Sequence, residues 1–186
     1  MELLPTLKIG WINGWLPLGL MGLTEWTLFL LFPKQVTARL WDRSGWSQRQ
    51  VILTVLGKLF ALACLVLITL TPLKVGSPVF FVGTALIALG LIGLVKALFD
   101  FKNTPLDQPV TRGIYRISRH PQIFTTSVVI LGICIATGSW PALFALVAGR
   151  VFGHLGILAE EEVCLNQYGD AYQAYMERVP RYFVFF

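Results

Sequence analysis

Apolar positions in this chain fall into long runs separated by short polar breaks. Three runs of about twenty residues cover Trp11 to Phe32, Val51 to Leu70 and Val79 to Phe99, the length a helix needs to cross a bilayer. Two shorter ones follow, from Pro121 to Thr137 and from the Gly138-Ser139-Trp140-Pro141 turn to about Ala159. None alternates with the period of two that barrel strands require. The pattern therefore predicts an all-α, polytopic membrane protein, a bundle of about five transmembrane helices ending in a C-terminal helical hairpin. The hairpin helices are near the lower limit for spanning, which leaves a tilted or partly re-entrant arrangement open. Pro33 closes the first run, and Pro72, Gly76 and Pro78 mark a tight turn after the second. Glycines 83, 90 and 93 on the third suit close helix–helix approach.

Composition agrees with this picture. Hydrophobic residues make up 55% of the 186, charged ones only 13%, and the mean hydropathy is +0.69, unlike an ordinary soluble domain. The net charge of +5 reports orientation rather than nucleic-acid binding, because basic residues flank the apolar runs. Lys34 to Gln50 carries Lys34, Arg39, Arg43 and Arg49 against Asp42, and Asp100 to His120 carries Lys102, Arg112, Arg116 and Arg119 against Asp100 and Asp107. Both read as cytoplasmic polar loops, with the N-terminus outside and the C-terminus inside. The tail Glu160 to Phe186, amphipathic and then aromatic, shares the cytoplasmic side, and residues 1–10 form a short interfacial lead. No cleavable signal peptide is expected, and one domain accounts for residues 1–186. Cys64, Cys134 and Cys164 have neither disulfide nor metal-ligand spacing and read as packing residues, with no metal site expected. Glu25 lies at membrane depth, either as an intramembrane polar contact or as a glutamate packed against a neighbouring helix.

Two charged clusters interrupt this apolar chain. Gly113-Ile114-Tyr115-Arg116-Ile117-Ser118-Arg119-His120-Pro121 directly precedes the fourth run, and Glu160-Glu161-Glu162 directly follows the fifth. A short connection makes the two runs an antiparallel hairpin, so these ends are neighbours. Pro121 suits the first turn of a helix, which puts His120 and Arg119 at a helix amino terminus, a good place to hold an anion or polar cofactor. The alternative is a basic anchor and an acidic helix end, both merely solvated. Three carboxylates at a helix carboxyl end are unfavourable without cationic partners, which Arg119 and its neighbours could supply.

The pattern Gly113-x-Tyr115-Arg116-x-x-Arg119-His120-Pro121, then a hairpin, then Glu161-Glu162-x-x-Leu165-x-x-x-Tyr168-Gly169-x-x-Tyr172-x-x-Tyr175, resembles the isoprenylcysteine carboxyl and phospholipid methyltransferases of membranes. Arg178-Val179-Pro180-Arg181 resembles their carboxyl-terminal segment, so the likeness covers about residues 110–182. It implies S-adenosylmethionine as methyl donor, held at the cytoplasmic end of the hairpin by Tyr115, Arg119, His120, Pro121, Glu161, Glu162 and Tyr168. Arg119, His120 and Glu161 would be the catalytic residues by the same implication. Carboxylates suit the donor's hydroxyl, amino and sulfonium groups, and an arginine suits its carboxylate. Methyl transfer is an in-line displacement, in which alignment and exclusion of water matter most. The acceptor would be a membrane lipid or lipid-modified molecule arriving from the bilayer, whether a prenylcysteine carboxylate, a phospholipid amine or a thiol. No glycine-rich strand-to-helix turn of the Rossmann kind is present. Tyr168, Tyr172 and Tyr175 recur at helical spacing on one face of a tail helix, the last two read as packing, and Gly169 as a backbone bend.

The chain departs from that family at two places. Ile123 stands where a tyrosine is usual, with the aromatic shifted to Phe124, and no arginine lies between Val151 and Ala159. His154 and Arg150 are the nearest substitutes for binding an acceptor carboxylate. Gly113 to Gln122 also resembles the zeta-carotene isomerase family and its haem-binding bacterial relatives, in which case His120 and His154 would be haem ligands. A non-catalytic membrane scaffold is the third reading.

Overall fold

A computed structural model describes residues 2–3, 5–43 and 45–183, with Leu53 described by its backbone alone. The end of the aromatic tail, residues 184–186, lies outside them. The described residues form seven α-helices: α1 (Trp15–Leu31), α2 (Lys34–Trp41), α3 (Gln48–Leu70), α4 (Pro78–Lys102), α5 (Pro121–Thr137), α6 (Trp140–Tyr168) and α7 (Asp170–Arg178). The fold is all-α. Helices α3, α4 and α6 are long and apolar enough to cross a membrane, while α1 and α5 are shorter apolar helices of 17 residues. Their outward faces are lined by Leu, Val, Ile and Phe, such as Leu62, Phe81, Leu89, Ile92 and Phe144, as lipid contact demands.

Helix ends follow local chemistry. Ser47 and Gln50 form a reciprocal capping box at the start of α3, and Ser77 and Ser139 cap α4 and α6 just ahead of Pro78 and Pro141. The core is apolar: Ile68 of α3, Leu94 and Leu98 of α4, and Val129 and Ile133 of α5 are almost fully buried. Helices α4 and α5 approach closely enough that a Cβ on Gly83 would come within 2.5 Å of the Gly132 carbonyl oxygen. Gly90 and Gly93 meet Val129 and Thr125 of the same helix, so the three glycines read from the sequence face one partner.

The amino-terminal lead closes the end opposite the charged clusters. Glu2 N–H donates to the Gly138 carbonyl at 2.6 Å, Lys8 N–H to Leu70 at 2.9 Å, and Glu2 pairs with Lys74 at 2.9 Å. Asn13, 1% exposed, donates to Lys8 O at 2.6 Å.

Three boundaries differ from the sequence reading. The first run begins as a helix at Trp15 rather than Trp11, because residues up to Gly14 bond the α3–α4 turn instead. The loop after Pro33 contains α2, an eight-residue amphipathic helix that buries Val36; its period is too short to stand out among charges. Helix α6 does not end near Ala159 but runs to Tyr168, since no breaker occurs before Gly169 at φ +53°. Its 29 residues span roughly 43 Å, longer than the hydrocarbon core. Tyr168 consequently ends α6, whereas Tyr172 and Tyr175 lie on α7.

Candidate functional site

The 3-10 turn Gly113–Arg116 leads into the site. Gly113 takes φ +57°, and Asp100 of α4 accepts the next N–H, of Ile114, at 2.9 Å. This fixes Tyr115, whose side chain is buried and whose hydroxyl accepts from Gln122 at 2.8 Å. The Tyr115 carbonyl accepts the Tyr175 hydroxyl at 2.7 Å, docking α7. Burial pushes the hydroxyls of Tyr115, Tyr172 and Tyr175 above the usual phenol range, which favours the neutral phenol in each.

The next residues tie the carboxyl-terminal segment down. Ser118 Oγ donates to the Arg181 carbonyl at 2.9 Å and accepts the His120 N–H at 3.2 Å. Arg119 N–H donates to the Pro180 carbonyl at 3.0 Å, and Arg119 Nη1 to Met176 O at 3.0 Å. Residues 179–183 thus cross the mouth of the α5–α6 hairpin as a strap. Tyr182 reaches His154 Nδ1 at 2.6 Å, and Phe183 packs on Phe124 with ring centroids 4.2 Å apart. Phe124, the shifted aromatic, therefore seats the strap.

Glu161 is the hub. Its carboxylate, 4% exposed, accepts from Arg181 Nη2 at 2.7 Å and Arg181 Nε at 3.0 Å, and lies 3.1 Å from His120 Nε2. A carboxylate only accepts, so Nε2 carries the hydrogen. Arg119 Nε is 3.0 Å from Glu161 Oε1, close enough to pair but not aligned to donate, which leaves that buried N–H without a hydrogen-bond acceptor among the described residues. The same hydrogen bonds hold the Arg181 guanidinium above its ordinary value. With two arginines and an imidazole on one side chain, Glu161 has little capacity left for a ligand.

Beside the hub lies a cavity of about 920 Å³ lined by Tyr115, Arg119, His120, Pro121, Glu160 and Tyr168, with Ile123, Thr126 and Arg150 deeper in. Glu25 and Phe29 of α1 and Arg39, Trp41 and Trp46 of the first charged loop form the opposite wall. Arg39 holds that wall by donating to Gln108 O at 2.7 Å and to the Tyr168 hydroxyl at 3.0 Å. Glu160, whose side chain is 54% exposed, faces this space 3.8 Å from His120 Nδ1.

The sequence-predicted site residues therefore divide. Tyr115, Arg119, His120, Pro121 and Tyr168 line the cavity; Glu161 is not among the lining residues and anchors Arg119 and His120; Glu162 turns away and accepts from Gln50 of α3 at 2.7 Å, outside the cavity. At 100° per residue, three consecutive glutamates cannot share a face, and the sequence alone did not say which faced inward. His154 is bound to Tyr182 and does not line the cavity that His120 lines. Sequence reasoning missed Arg181 as a partner of Glu161 and the wall formed by Arg39, Trp41 and Trp46. The first had a signal in the tail motif; the second had none beyond a basic loop that served to orient the chain.

This fold and site define a polytopic helical membrane protein whose polar chemistry is gathered at one end of a two-helix hairpin. The profile of the phospholipid methyltransferase family matches residues 75–171, from the turn before α4 to the start of α7, and the chain belongs to that family. Membership implies a methyltransferase working in a membrane. Among curated proteins, none matches the chain.

Proposed function

We propose that this protein transfers a methyl group from S-adenosylmethionine to a lipid-like acceptor, in the cavity between the α5–α6 hairpin, α7 and the first charged loop. The observation that carries the reading is the placement of Arg119, His120 and Glu160 on one cavity wall, buttressed from behind by Glu161 and Arg181. The donor carries an amino-acid end, ribose hydroxyls and a sulfonium, and would supply an electrophilic methyl group. The residues fit it. Arg119, paired with Glu161, keeps a buried Nε–H that has no hydrogen-bond acceptor among the described residues and suits a carboxylate, and Glu160 offers a carboxylate suited to hydroxyls or an ammonium.

On this reading Tyr115, Arg119, His120, Pro121, Glu160 and Tyr168 contact the cofactor, and Glu161 is a positioning residue. His120 at the start of α5 donates through Nε2 to Glu161, which fixes the ring and turns Nδ1 toward Glu160. The strap and α7 exclude water from one side, so that alignment of donor and acceptor provides most of the rate enhancement. The acceptor arrives from the bilayer and the donor from the cytoplasm, with the N-terminus outside and residues 1–186 acting as one domain. The basic loops on the cavity side support that orientation.

Calorimetry with S-adenosylmethionine in detergent tests this. Saturable binding by the wild type, weakened at least tenfold in His120→Ala and Glu160→Ala, is expected. No binding by the wild type would refute the cofactor assignment, and unchanged binding in both variants would refute the site.

A further inference from the structure

One side chain joins three segments to α2 at the rim of the cavity. Arg39 stands in the last turn of α2. Its Nη1 donates to the Pro105 carbonyl at 3.1 Å, and its Nη2 to the Gln108 carbonyl at 2.7 Å and the Tyr168 hydroxyl at 3.0 Å. The guanidinium also lies over aromatic rings, 5.1 Å from the centre of Phe101 and 5.9 Å from that of Tyr168. The end of α4, the second charged loop and the end of α6 therefore meet α2 on a single planar fork. Arg39, Phe101, Leu106 and Tyr168 all line the cavity. Otherwise α2 is lightly held: Val36 is its buried residue, and Trp41, edge to face on Phe29, is 63% exposed.

We propose that Arg39 is the latch of the cavity's entrance, a positioning residue whose release lets α2 move aside so that S-adenosylmethionine enters and its thioether product leaves. The two sides of the cavity are fastened differently. On the strap side, Glu161 is buried and paired with Arg119 and Arg181, so parting there strands buried charge at a high cost. On the α2 side, the partners of the Arg39 fork are carbonyls, a hydroxyl and ring faces, all neutral, and its bonds to the loop carbonyls are exposed. Water replaces exposed hydrogen bonds of this kind with little net loss, so the boundary gives way there first. When the latch is closed, the fork fixes the Tyr168 hydroxyl and the second charged loop, which runs on into Tyr115, Arg119 and His120. A lysine does not reproduce this, because one ammonium neither spans the two carbonyls nor stacks between rings. Arg39 lies outside residues 75–171, so the latch is a feature of this chain beyond the family match. It rests on the methyltransferase reading only for the identity of the ligand.

Stopped-flow fluorescence of the detergent-purified protein measures S-adenosylmethionine association and dissociation, and hydrogen–deuterium exchange reads the ligand-free protein. Arg39→Ala should raise kon and koff together, each by roughly fivefold or more, because opening limits both directions. Exchange in α2 and in residues 104–110 should rise, while α4 and α5 keep wild-type protection. Arg39→Lys should match Arg39→Ala, and added guanidinium ion, but not ammonium, should slow both rates of Arg39→Ala toward wild type. Unchanged rates overturn the latch, as does a raised koff with kon unaltered, the mark of a residue that only touches the ligand. Full recovery by lysine, or exchange that rises throughout the bundle or nowhere, overturns it as well. If the wild type binds no S-adenosylmethionine while Arg39→Ala still raises exchange in α2 and residues 104–110 alone, the methyltransferase reading fails and the latch stands.

Discussion

Replacing Glu161 by Gln separates the hub from its neighbours in sequence. The substitution keeps the shape of a side chain that is 4% exposed and removes the negative charge facing Arg119, His120 and Arg181. Taking one partner from a buried ion pair costs about 3–5 kcal/mol. Arg181 is 19% exposed and a glutamine oxygen still accepts one hydrogen bond, so the lower end, about 3 kcal/mol, is expected. For a chain of this size that corresponds to a fall of roughly 6–12 °C in Tm. Glu162→Gln alters an exposed residue bonded to Gln50 and should stay within about 0.5 kcal/mol of wild type. Thermal unfolding of both variants in one detergent measures the difference, and calorimetry with S-adenosylmethionine measures its consequence. Glu161→Gln should also weaken binding, because Arg119 and His120 lose their fixed partner, whereas Glu162→Gln should not. Equal effects of the two substitutions, on stability or on binding, would refute the assignment of separate roles to adjacent glutamates.

Three further outcomes follow from the same contacts. Glu160→Gln, half exposed in the cavity, should lower cofactor affinity about tenfold while leaving Tm within about 2 °C, since exposed pairs contribute little to stability. Tyr182→Phe removes the 2.6 Å contact with His154 and should destabilise by about 1 kcal/mol, seen as faster proteolysis of the tail after Arg178. Gly113→Ala puts a Cβ into the Asp100 carboxylate at φ +57° and should cost at least about 2 kcal/mol; circular dichroism melting checks it, with activity falling as Tyr115 shifts.

Much of this protein is legible in order along the chain. Runs of apolar residues determine helices because a bilayer leaves backbone groups no other way to be satisfied. Gly113, Pro121 and Gly169 punctuate the backbone by steric rules that hold in any context. The adjacency of His120 and Glu161 also follows from sequence, since the Gly138-Ser139 turn is too short to separate the two ends of the hairpin.

Tertiary structure decided the rest. Which of three consecutive glutamates became the anchor depends on the rotation of α6 about its axis, which is set by packing against α3 and α5 and not by the local pattern. Arg181 became a partner of Glu161 only because Ser118 and Arg119 bond the strap backbone across about sixty residues of chain, a contact with no periodic trace. The α2 wall likewise arises where the end of an eight-residue helix meets α1, with Trp41 edge to face on Phe29. A short amphipathic segment is ambiguous by itself and acquires its meaning from the surface it covers.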